Sequence, residues 1–159
     1  MMYQTKKASP EQVTVYQDQG MDIEIKYSSP GVKGRTIFGD LVPFDVVWRT
    51  GANEATTFET STELMIGDQN LAAGTYSFWT IPNETEWTFI WNSKEYSWGV
   101  NWENMASREE AFDVITVKVA SQELSELQEN LSIDIVNGHP STLELKWEHT
   151  LVSVPIVKP

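Results

Sequence analysis

The chain has 159 residues, of which 40% are hydrophobic and 21% charged. That is enough length and apolar content for one domain with a buried core, and it argues against a disordered chain. Eleven Lys and Arg against 23 Asp and Glu leave a formal net charge of −12, which disfavours nucleic acid as a partner through repulsion from its phosphates. The lack of cysteine excludes disulfides, thiolate metal sites and a Cys nucleophile, and no apolar run approaches the roughly 18 residues of a membrane span.

Residues 1–10 read as a loose polar N-terminal segment and 11–159 as a single β-sandwich domain. Met1–Lys7 has no apolar stretch of the signal-peptide kind, so no signal peptide is expected in it. Val13 and Val15 alternate with polar residues, as do Ile23, Ile25 and Tyr27, and Gln19-Gly20 lies between the two runs. This predicts a hairpin with one buried face. Ser28 to Asp45 mixes turn residues, the cations Lys33 and Arg35, and an apolar stretch broken by Gly39 and Pro43. It reads as a long ordered loop pinned to the core by its apolar side chains.

Strands are expected to resume at Val46-Val47-Trp48-Arg49, then at 55–60 and 63–66 with a turn at Gly67-Asp68. A hairpin joins Gly74–Pro82 to Trp87–Trp91. Trp87, Phe89 and Trp91 share one face there and Ile90 sits opposite, so both faces should be covered. Residues 106–111 could make a helical turn or two, 112–119 a strand, and 121–128 a short helix or a loop. Leu131, Ile133 and Ile135 pair by pattern with Leu143, Leu145 and Trp147 across the Asn137–Pro140 turn, and a last strand ends at Ile156. About a dozen short strands with little helix predict an all-β antiparallel sandwich or barrel-like sandwich.

One polar segment interrupts this pattern: Trp48-Arg49-Thr50-Gly51-Ala52-Asn53-Glu54-Ala55-Thr56. With Tyr27–Gly39, Leu41–Phe44, Ala73–Pro82, Glu86-Trp87-Thr88 and the ending Leu145–Glu148 with Val154–Ile156, it resembles the bacterial DUF2911 family along nearly the whole chain. The resemblance implies a β-rich fold and an exported protein of Bacteroidota-like bacteria, periplasmic or at the cell surface. It implies no activity. Two positions depart from the expected pattern: Ser29 stands in place of Arg and Phe44 in place of Tyr.

Arg49 and Glu54 could pair across a turn as a polar staple. A ligand clamp is the alternative, in which Arg49 holds a carboxylate or phosphate, Asn53 and Glu54 orient it, and Lys33 and Arg35 add positive charge. Lys33, Asn53 and Glu54 also have the residue types of an isopeptide cross-link. Trp98 and Trp102 flank Gly99 and could form a platform for a sugar, although Trp in a sandwich mostly fills volume. His139 and His149 lack metal-ligand spacing, and no metal or cofactor is expected. The leading expectation is a non-enzymatic binding or structural domain that takes a small anionic or sugar-like ligand. The runner-up is a hydrolase or lyase centred on Arg49, Asn53 and Glu54.

Overall fold

The structure, a computed structural model, describes residues 8–101 and 105–159. Trp102 and most of the segment expected to be loose lie outside them. Nine strands are present among the described residues: β1 Glu11–Asp18, β2 Met21–Ser28, β3 Thr57–Thr60, β4 Leu64–Ile66, β5 Gln69–Leu71, β6 Gly74–Ile81, β7 Glu86–Asn92, β8 Asp113–Val136 and β9 Ser141–Val157. Between the strands, a 3-10 turn spans Glu110–Phe112. The hydrogen-bonded order is β1-β2-β3-β6-β7-β8-β9-β4-β5, with every ladder antiparallel. The all-β antiparallel expectation is met, with fewer and longer strands than the dozen predicted.

The long strands explain the lower count. β8 pairs with β7 as far as Ala120 and with β9 from Ser121 onward, so one backbone serves two sheets. Residues 121–128, expected to be a helix or loop, are the middle of this strand. The register jumps between Glu123 and Gln128, and His149 Nδ1 lies 3.0 Å from the Leu124 carbonyl. A bulge of this kind bends and twists a strand, which is what a sheet-to-sheet corner needs.

β1 and β2 meet through Gln19-Gly20 at φ 50° and 76°, the two positive values that a two-residue primed turn requires. On β2 the predicted face is buried: Ile23, Ile25 and Tyr27 all point into the core. On β1 the prediction is reversed. Val13 and Val15 are 56% and 57% exposed, and Tyr16 is buried in their place. Thr14 Oγ1 donates to the Ile133 carbonyl at 2.6 Å, and Tyr16 OH donates to Asn137 Oδ1 at 2.9 Å. The inner face of β1 is therefore spent on bonds to β8 and its turn.

The main core is rich in tryptophan. Trp48 and Trp147 stack with centroids 5.8 Å apart, and the Phe38 ring meets Trp48, Trp87 and Trp147 edge-on at 5.8, 4.9 and 5.9 Å. Phe38 thus anchors the 28–45 loop, as the sequence suggested. The Glu148 carboxylate accepts the backbone N–H groups of Ile37 and Phe38 and holds the same loop from β9. On the opposite face of β6 and β7, Trp79 and Ile90 form a second, smaller cluster with Ala55, covered by Val47, Ile81, Tyr96 and Ala106. Both faces of this hairpin are covered, as its sequence pattern required.

Candidate functional site

The Arg49–Thr56 segment begins where strand pairing fails. Trp48 and Thr80 exchange backbone bonds at 2.7 and 3.1 Å, but this is one isolated bridge rather than the strand expected at 46–49, and Val46 is exposed. Beyond it the chain takes positive φ at Thr50 (59°), Gly51 (152°) and Asn53 (60°). A β-branched residue in the left-handed region is an outlier that costs on the order of 1–3 kcal/mol unless its surroundings hold it. Here they do. Thr50 is fully buried, and its hydroxyl donates to the Trp48 carbonyl and accepts from Thr80 Oγ1, both at 3.1 Å. Thr56 Oγ1 donates to the Thr50 carbonyl at 2.8 Å. The polar segment is a buried, locked coil between strands.

Arg49 lies over this coil. Its Nε reaches the Gly51 carbonyl at a long 3.3 Å. Its stem packs on Gly99 so closely that a Cβ there would fall 2.5 Å from Arg49 Cδ, and Gly99 N donates to the Asn53 carbonyl at 2.8 Å. The predicted Arg49–Glu54 ion pair does not form, and no other described carboxylate pairs with Arg49. Burial pushes the Arg49 pKa down, because desolvation penalises its charge. Asn53 is buried, and among the described residues its Nδ2 has no hydrogen-bond partner.

The remaining candidates do not converge on Arg49. Glu54 lines a separate depression of about 220 Å³ with Val13, Lys26 and Ala55. Arg35 bonds back to the Gly31 and Val32 carbonyls, and Lys33 N bonds to the Glu129 carboxylate. Among the described residues no hydrogen bond or ion pair joins Lys33 or Arg35 to Asn53 or Glu54. Trp98 is half-buried beside Gly99. Ser29, one of the two departures, is buried and donates to the Leu131 carbonyl at 2.7 Å, and Phe44, the other, lays its ring on Gly39.

Sequence reading missed the polar network that seats the 93–112 segment. Asn92 Nδ2 donates to the Glu109 carbonyl and to Asp113 Oδ1, both at 2.9 Å, and Arg108 pairs with Asp113. Lys94 Nζ meets Glu109 Oε2 at 2.5 Å, and Tyr96 OH donates to the same oxygen. The bond to Lys94 holds the Glu109 pKa below the usual glutamate range, and the same bond raises that of Lys94. The depressed carboxyl contributes stability above its unfolded pKa and loses it as pH falls through the folded value. The raised amine contributes below its unfolded pKa and loses it as pH rises through the folded value. Glu109→Gln should therefore lower the melting temperature slightly at neutral pH, and the difference from wild type should vanish in acid. A pH series of thermal melts checks this. Both groups are solvent-facing, so the effect should also shrink in high salt.

Among the described residues no group of three His, Asp or Glu is placed to hold a metal, and no helix is long and apolar enough to cross a membrane. A family model described as a protein of unknown function, DUF2911, matches residues 9–156. The chain belongs to the DUF2911 family. No curated protein and no solved structure matches it. The Arg49 coil and the loop held by Glu148 both lie inside the DUF2911 match, and the family's description assigns no role to either.

Proposed function

We propose that this DUF2911 protein is a non-enzymatic, exported binding domain that takes a small anion at the Arg49 guanidinium. The observation that carries the reading is a half-buried arginine that pairs with no described carboxylate, on a chain of net charge −12. Burying a cation costs free energy that a bound anion would offset, and the planar guanidinium matches a carboxylate bidentately. Gly99 and the locked coil hold the stem in place, so little side-chain entropy is left to lose on binding. Export rests on the family resemblance. The enzymatic alternative needs Arg49, Asn53 and Glu54 to converge on one pocket, whereas Glu54 lines a depression that neither Arg49 nor Asn53 lines.

Arg49→Met keeps the stem and removes the charge. The variant should be at least as stable as the parent, because no ion pair is broken. Wild type should melt higher in acetate, succinate or phosphate, by about 2.7 kcal/mol of stability at 100 times Kd, and the variant should not respond. A variant weakened by roughly 3–5 kcal/mol, with wild type indifferent to all three anions, would mark Arg49 as a structural staple instead.

A further inference from the structure

The sheet closes on itself without a full ladder. Along its free edge the second half of β8 is met by the 30–32 segment just after β2 and by side chains. Leu131 N bonds to the Pro30 carbonyl at 3.0 Å, Val32 N to the Glu129 carbonyl at 2.8 Å, and Ile133 N to Tyr27 OH at 3.2 Å. Ser29 Oγ and Thr14 Oγ1 take the carbonyls of Leu131 and Ile133. Side chains hold strands farther apart than a backbone ladder does, and a depression of about 320 Å³ opens at the start of this seam.

Its polar wall consists of Gln12, Tyr27, Ser29, Gln128, Asn130 and Ser132, with Pro10 and Leu131 as the apolar part. None of these described lining residues is ionisable at neutral pH, on a chain carrying 34 charged residues among 159 (11 + 23). Amides and hydroxyls both donate and accept, as sugar hydroxyls do, and an uncharged wall gives an anion or a cation no counter-charge. Part of the wall is set in advance: Gln128 Nε2 donates to the Asn130 carbonyl at 3.0 Å, while Ser29 and Tyr27 are fixed by their bonds to β8. The volume lies at the lower end of the range for small-molecule sites.

We infer that this seam depression is a binding site for a neutral sugar, distinct from the Arg49 site and independent of it. A peptide strand fits less well, because the β8 backbone groups at 129, 131 and 133 that a ladder would use are already bonded. The site also differs from the Trp98–Trp102 platform suggested by the sequence, since it reads hydroxyls through amides rather than by ring stacking.

The test uses the full chain, labelled with nitrogen-15 and titrated with glucose, N-acetylglucosamine and maltose up to about 50 mM, with glucuronate and a neutral tetrapeptide as comparisons. At least one neutral sugar should shift the side-chain amide signals of Gln12, Gln128 and Asn130 saturably, with a Kd on the order of 1–10 mM. Gln12 and Asn130 are exposed, so the double variant Gln12→Ala, Asn130→Ala should fold normally and bind roughly tenfold more weakly. The inference is overturned by no saturable shift with any neutral sugar, by shifts centred on Trp98, by shifts unchanged in the folded double variant, or by a response to the tetrapeptide alone.

Discussion

Replacing Trp147 with alanine should cost about 3–5 kcal/mol, seen as a lower midpoint in urea denaturation. The ring is 1% exposed, so its removal leaves a cavity rather than a dent. It stacks on Trp48 with planes 10° apart and takes the edge of Phe38, so two aromatic contacts are lost with it. Its Nε1 also donates to the Glu129 carbonyl at 3.1 Å. That oxygen keeps its bond from Val32 N, so the orphaned-acceptor penalty should be small and the cavity should dominate. Trp147→Phe should therefore recover most of the loss. A cost under about 1 kcal/mol for the alanine variant would mean that the Phe38 loop collapses into the space without strain.

The second large effect is expected at Gly51. A Cβ there would lie 2.9 Å from the Ser28 carbonyl oxygen and 3.3 Å from Thr56 Oγ1. Ser28 is the last residue of β2, fixed in register opposite Glu11, so this oxygen cannot retreat as a flexible side chain would. Left-handed strain and overpacking then add, and Gly51→Ala should lose about 3 kcal/mol. Gly34 supplies the comparison. Its φ is 71°, but a Cβ there meets nothing within 4 Å, so Gly34→Ala should cost only the conformational term of about 1–2 kcal/mol. Equal losses in thermal melts of the two variants would show that the coil shifts away from Ser28 and is not locked as described.

Much of the fold is legible where burial is one-sided. Ile23, Ile25 and Tyr27, or Leu143, Leu145 and Trp147, alternate because one face meets the core and the other does not. The same rule misleads at Val13 and Val15. β1 turns its hydroxyl-bearing face inward to bridge to β8, so polarity there tracks the seam rather than solvent. Residues 121–128 carry little apolar periodicity because they round a corner, and their strand state comes from pairing with β9, which no local pattern records. The Arg49 segment was visible as an interruption. Its burial was not, since nothing in Thr50 announces a positive φ, and the partners that enforce it, Thr80 and Ser28, are distant in sequence.

β8 passes without a break from the first sheet into the second. The two sheets therefore share one continuous strand, in addition to the short loops 61–63 and 72–73 that link β3 to β4 and β5 to β6. A pull applied to either sheet is carried along this backbone into the ladder of the other. The seam residues Tyr27, Ser29 and Thr14 fasten the opposite side of the same structure, bonding across more than 100 residues of chain. A ligand seated in the seam would thus rest against side chains already held to β8 by these bonds.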